Sequence, residues 1–185
     1  MINNLGLHKI ILLMIFVVGL SVADKAIAQD VANGSATANV QAALAVVATQ
    51  DLQFGSVFQG VAKTVANNDA ASSGIFTITG AGGAGISAYL TLPQYIATPT
   101  GDDRMNIAFR TTDLSIDSTL NADPSTFGDG WADVDPNNLP TGLVIGSDAV
   151  SHTMLFLGGR VLPSVDQSAG AYSGDIIVTV AYNGT

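Results

Sequence analysis

Apolar and polar residues alternate with a period of two along much of this chain, and the alternation is cleanest near its end. Every second residue from Tyr172 reads Tyr172, Gly174, Ile176, Val178, Val180 and Tyr182, and the intervening set is Ser173, Asp175, Ile177, Thr179, Ala181 and Asn183. One side is apolar with an aromatic at each end and the other is mostly polar, the pattern of a β-strand lying on a core with its back to water. Gly74-Ile75-Phe76-Thr77-Ile78-Thr79-Gly80 is a β-branched run bounded by glycines. Residues 86–92 resume the pattern with Ile86, Ala88, Leu90 and Leu92 on one side. The glycine-rich residues 81–85 between these two runs predict a hairpin with a long loop.

Further strands are predicted at residues 40–49, 62–65, 105–110 with a continuation at 114–116, 142–145, 152–157 and 160–162. The first of these is rich in Ala but carries Val40, Val46, Val47 and Thr49 and no charge to make the polar face of a helix. Leu52 and Phe54 alternate with polar residues before Gly55, which permits a bend or bulge. Residues 121–140 differ in kind. They hold Asp123, Asp129, Asp133, Asp135, three prolines, two glycines and Trp131, and read as a long Asp-rich surface loop. Roughly eight or nine short strands with glycine-rich joins and no convincing helix predict an all-β, immunoglobulin-like antiparallel β-sandwich.

The amino terminus is patterned differently. Lys9 beside His8 precedes an apolar run at residues 10–22, and Ala26-Ile27-Ala28 supplies the small-x-small pattern read by a signal peptidase. Residues 1–28 are therefore expected to be a cleaved signal peptide, and residues 29–185 a single sandwich domain. The run is shorter than the roughly 20 apolar residues of a membrane span, so no membrane insertion is expected after cleavage. With no Cys anywhere, lipoprotein processing, disulfides and thiol nucleophiles are all excluded. The expected destination is the periplasm, the cell surface or the extracellular medium.

Composition sharpens the fold class. All 15 acidic residues are Asp, and only one Lys follows residue 28. Glu and Lys are the usual residues of exposed helix faces, whereas Asp, Asn, Gly, Ser and Thr favour turns and caps. The formal charge of −9 becomes −10 without the leader, which removes Lys9, Asp24 and Lys25. Such a surface repels nucleic-acid phosphates and anionic lipid headgroups, so neither nucleic acid nor a membrane surface is an expected partner.

Three segments carry a family resemblance. They are Ala48-Thr49-Gln50-Asp51-Leu52-Gln53-Phe54-Gly55-Ser56-Val57; Phe76-Thr77-Ile78-Thr79-Gly80 leading to Tyr89-Leu90-Thr91-Leu92-Pro93; and Leu157-Gly158-Gly159 leading to Ala169-Gly170-Ala171-Tyr172-Ser173-Gly174 and Val178-Thr179-Val180-Ala181-Tyr182-Asn183. In this order they resemble the bacterial domain-of-unknown-function family 4402. The closing Gly-x-Tyr-x-Gly strand is also similar to the end of spore coat protein U and chaperone–usher pilin domains. The cysteines of those relatives are absent here, and the Asp-rich loop is a departure. The resemblance implies an immunoglobulin-like domain completed by a strand from a chaperone or a neighbouring subunit, and it implies no catalytic residues.

Candidate chemistry is sparse. Ser151 and His152 are adjacent on a predicted strand and so point to opposite faces, which argues against a triad and leaves His152 as a partly exposed strand residue. Asp102-Asp103 follows Gly101 and reads as a solvated turn rather than a glycosidase carboxylate pair. Asp129, Asp133 and Asp135, with Asn137 and Asn138, offer oxygen ligands suited to Ca²⁺, although their spacing is not that of an EF-hand. No other cofactor is expected. Trp131 and Tyr95 are expected to pin their loops rather than stack on a sugar.

These readings converge on a non-enzymatic structural or surface-assembly subunit that joins itself or related subunits by strand addition, with a periplasmic chaperone as a further expected partner. The expected donor arm runs from residue 29 to about residue 43, where Ala36, Ala38, Val40 and Ala42 alternate with polar or small residues. The expected acceptor is the groove beside Ile176, Val178 and Val180. The alternative is a self-contained extracellular binding module that uses the Asp-rich loop for calcium, a glycan or both.

Overall fold

A computed structural model describes residues 32–119, 121–128, 130–147 and 151–184. The expected leader at residues 1–28 and the candidate ligand Asp129 lie outside the described residues. The chain divides into two units, Met1–Asn39 and Val40–Thr185. In the first, residues 32–39 are exposed and have no regular secondary structure, so Ala36 and Ala38 of the expected arm are in irregular chain.

The second unit holds twelve strands among its described residues: β1 (Ala45–Gln50), β2 (Lys63–Val65), β3 (Gly74–Thr79), β4 (Gly85–Thr91), β5 (Tyr95–Ala97), β6 (Arg104–Ala108), β7 (Leu114–Asp117), β8 (Gly130–Val134), β9 (Leu143–Val144), β10 (His152–Leu157), β11 (Gly159–Leu162) and β12 (Ile177–Tyr182). The one helical element described is a 3-10 turn at Pro124–Thr126. The strands form three antiparallel sheets, ordered β1-β3-β10-β7-β8, β2-β11-β6-β5 and β12-β4-β9. This is an all-β architecture consistent with a β-sandwich.

Three strand expectations need correction. First, β3 and β4 are not a hairpin. Both edges of β3 are occupied, by β1 and β10, so residues 80–84 carry the chain to a different sheet, where β4 pairs with β12 and β9. Second, residues 121–140 are not loop throughout. β8 lies inside them as an edge strand on β7, with Ile116 opposite Trp131 and Leu114 opposite Val134. Third, the regular part of the terminal strand begins at Ile177. Ser173 instead makes an isolated bridge to Ala97, with both backbone hydrogen bonds at 2.9 Å. The chain thus pairs first with β5 and then, past Gly174, with β4.

Strand β10 passes between sheets in a similar way. Its register places Leu155 opposite both Phe76 of β3 and Ile116 of β7, in the middle of the first sheet. After a single residue, Gly158, the chain continues as β11 in the second sheet. Gly158 N–H donates to Asp113 O (2.7 Å), and a Cβ at Gly158 would lie 2.6 Å from Val65 O and 2.7 Å from Asn67 N. Only glycine fits that approach.

The main core joins the first and third sheets. Phe76, Ile78, Leu114, Ile116, Leu155 and Leu157 from one side meet Ile86, Leu143 and Ile145 from the other. Fully burying side chains of this size stabilises the fold by about 1.5–3 kcal/mol each. A second cluster, Met105, Ile107 and Val161, belongs to β6 and β11 and packs with Phe54, Val57, Ile96, Phe109 and Tyr172. All six residues of β10 are buried, including His152. The expectation of a partly exposed His152 is therefore overturned, because both faces of this central strand are covered.

Candidate assembly edge

Strand β12 is paired along its full length with β4, from Ile177 opposite Thr91 to Tyr182 opposite Ile86. Among the described residues nothing pairs with its other edge. Strand β1 is likewise paired only with β3. Two strand edges, one from each of two sheets, therefore border the same part of the core. Leu44 and Val46 on the β1 side and Ile176, Val178, Val180 and Tyr182 on the β12 side all pack on the main cluster, yet each is only partly buried. Their neighbours Ile78 and Ile86 are fully enclosed. The core is sealed at its centre and thins towards this seam.

One end of the seam is tied by Tyr182. Its hydroxyl accepts from Ala81 N–H (2.7 Å) and donates to Ala42 O (2.8 Å). Gly80 makes the approach possible, since a Cβ there would lie 2.5 Å from the hydroxyl oxygen. The chain before β1 thus departs from the Tyr182 end of the seam, with Ala42 as its last fixed point. Val40 and Ala42 are exposed, Val40 to 92%. The β12 edge has no Lys or Pro to deter a further strand; only Asp175 precedes it.

No protein-family model, curated protein or solved structure matches the chain. What the seam can do follows from its chemistry. An unpaired strand edge offers alternating N–H and C=O groups, and the half-covered apolar side chains next to it supply shallow sites for every second residue of an added strand.

The other predicted site residues have separate roles. Tyr172 and Gly174 precede β12 and are not on its edge. The Tyr172 hydroxyl lies 2.7 Å from both Asp103 Oδ2 and Ser168 O and accepts from Gln167 Nε2 (2.9 Å). Asp103 Oδ2 also accepts from Ser168 N–H (2.8 Å), and Oδ1 accepts from Arg104 N–H (2.8 Å). Buried Gln167 donates further to Arg104 O (3.2 Å) and accepts from Ser164 N–H (3.2 Å). The Tyr172 hydroxyl, followed by the Ser168 donors, holds the Asp103 carboxyl well below the usual carboxylate range. Burial and that carboxylate push the Tyr172 hydroxyl up from its ordinary value. Asp102 is an exposed turn residue as expected, but Asp103 is a half-buried anchor.

Of the calcium candidates, Asp133 and Asp135 are among the described residues and Asp129 is not. Asp133 sits within β8 at φ 53°, and Asp135 Oδ1 accepts from Asn137 N–H (2.9 Å) and Nδ2 (3.3 Å), closing a turn. Among the described residues no three His, Cys, Asp or Glu side chains form a group able to hold a metal. Asp123 caps the 3-10 turn through Ser125, whose hydroxyl and N–H lower its pKa. Trp131 does not pin a loop: it lies on the edge strand β8 and is 45% exposed. Tyr95 carries the Arg104 guanidinium 4.4 Å from its ring centroid. It also lines a shallow groove of about 360 Å³ with Pro93, Gln94, Ala97, Ser173, Gly174 and Asp175. That groove marks the place where the terminal segment changes partner from β5 to β4.

Proposed function

We propose that the chain is an exported, non-enzymatic structural subunit of a surface assembly, built on an immunoglobulin-like sandwich and joined to its neighbours by β-strand addition. The observation that carries this reading is the β12 edge, unpaired among the described residues and bordered by the half-covered side chains of Val178 and Val180. Three further features support it. Strand β1 pairs with β3 rather than β12, so the first strand of the domain leaves that edge available. Ala36, Ala38, Val40 and Ala42 are exposed in chain without regular structure and carry apolar residues at alternate positions. The resemblance to family 4402, spore coat protein U and pilin domains points the same way.

In this proposal residues 1–28 are a cleaved leader, the arm of one subunit enters the β12 groove of the next, and a periplasmic chaperone holds the groove until then. Main-chain hydrogen bonds supply the affinity, and the small side chains of the arm suit the shallow sites. The absence of cysteine makes the test clean. A variant carrying both Ala38→Cys and Val180→Cys is expected to form intermolecular disulfides and give a ladder of multimers under non-reducing denaturing electrophoresis. Either single variant is expected to give no more than dimers. A double variant that remains monomeric at high concentration under oxidising conditions overturns the proposal.

A further inference from the structure

The same chemically labile pair of residues occurs twice in this chain, in opposite settings. Of the nine Asn that follow residue 28, Asn33 and Asn183 are the two that precede Gly. Asn is thermolabile because its side-chain carbonyl carbon lies one ring closure away from the backbone nitrogen of the next residue. Gly as that next residue makes the closure easiest, since it has no Cβ in the way and reaches backbone angles closed to other residues.

Asn33 has room to close the ring. Residues 32–39 are exposed and without regular structure, and Asn33 makes no hydrogen bond among the described residues. Nothing lies within 4 Å of the place a Cβ on Gly34 would take. Asn183 is held instead. Its N–H donates to Gly85 O (3.1 Å), one step beyond the Tyr182–Ile86 pair, and its Nδ2 reaches Ile86 O (3.5 Å). Turning its side chain towards Gly184 N requires the end of β12 to open first.

We propose that Asn33 is a self-modifying site, converting in the folded protein to aspartate and isoaspartate, while Asn183 remains asparagine. The backbone nitrogen of Gly34 forms a bond to Asn33 Cγ, the Cγ–Nδ2 bond breaks, and the nitrogen leaves as ammonia with the proton given up by Gly34 N–H. Water then opens the resulting succinimide at either carbonyl. Opening at one leaves an aspartate in the normal chain, and opening at the other leaves an isoaspartate whose main chain runs through the side-chain carboxyl. The step needs no reactant but water. Each conversion puts a new carboxylate on the segment leading into Ala36–Ala42, in a chain that is already strongly acidic, and leaves the sandwich untouched.

Peptide mapping by mass spectrometry on protein lacking residues 1–28 tests this. During incubation at pH 8 the peptide containing residue 33 is expected to gain the mass of an NH2-to-OH exchange, and isoaspartyl methyltransferase is expected to label it. The gain is expected to be slower at pH 6, because the attacking nitrogen must lose its proton. G34A is expected to lose the product over the same incubation, with circular dichroism unchanged. The peptide containing Asn183 is expected to keep its mass in the native protein and to convert once urea unfolds the chain, which assigns its resistance to the fold. The proposal is overturned if residue 33 keeps its mass, if G34A converts as fast as the unaltered protein, or if native Asn183 converts as fast as Asn33. Aspartate formed at residue 33 without any isoaspartate would also overturn it, since that product comes from direct hydrolysis and not from the ring.

Discussion

Tyr172 and Tyr182 stand at the two ends of one apolar stripe, and their hydroxyls do different work. Tyr182 ties the start of the domain to the β3–β4 connection, whereas Tyr172 closes a cluster with Asp103, Gln167 and Ser168 that fixes the approach to β12. The Tyr172 cluster is sensitive to pH, and the sign follows from the direction of each shift. Asp103 has its pKa lowered on folding, so its contribution to stability is present above the ordinary value of about 3.9 and is lost as pH falls below it. Tyr172 has its pKa raised, so its contribution is present below about 10 and is lost as pH rises through the raised value. Y172F is expected to lower the urea midpoint at pH 6, and the difference from the unaltered protein is expected to shrink between pH 5 and pH 2. A difference that stays constant down to pH 2 would show that the hydroxyl donates to Ser168 O rather than to Asp103.

At the scale of elements, the fold depends on places where one strand passes between sheets without a loop. Gly158 is the tightest of these, because the backbone of Val65 and Asn67 occupies the space a side chain would need. G158A is expected to force β2 away from β11 and to destabilise the protein by about 1–3 kcal/mol, the usual cost of overpacking. G34A, at an exposed glycine with nothing within 4 Å, is expected to stay within about 0.5 kcal/mol of the unaltered protein. Equal thermal melts for the two variants would contradict the crossing as described.

The same crossings explain what was legible in the sequence. Strands β3, β4, β6, β7, β10 and β12 announce themselves because one or both faces are buried and the residues follow the pleat. The short strand β5 and the edge strand β8 do not. β8 combines Gly130 at φ 142° with Asp133 at φ 53°, and only Val134 is partly covered, so no apolar period marks it. Adjacency and a glycine-rich join predict a β3–β4 hairpin, but pairing is decided by which edges are already filled, and both edges of β3 are. At the site, the alternation of residues 172–182 predicts one strand, of which Ile177–Tyr182 forms β12 while Ser173 bridges to Ala97. The Asp103–Tyr172 contact spans 69 positions, and nothing in a local pattern can report a partner that distant.

At the scale of the whole molecule, burial in the first sheet falls from its central strand towards both edges. β10 is enclosed on every residue and flanked by β3 and β7, while β1 and β12 border the seam with half-covered side chains. Local opening free energy follows such gradients, because exchange of an amide needs only the opening of the strand that holds it. The amides of β10 and β3 are therefore expected to exchange slowest with deuterium. Within β12 the amides bonded to β4 are expected to be protected, and those turned towards the free edge to exchange at least about tenfold faster. Strand addition would give that second set new acceptors, so assembly is expected to slow them selectively while leaving β10 unchanged. Hydrogen exchange measured on monomer and on multimer thus tests strand addition directly. If the outward amides of β12 are already as protected in the monomer as their neighbours, the edge is closed within the subunit and strand addition has nowhere to act.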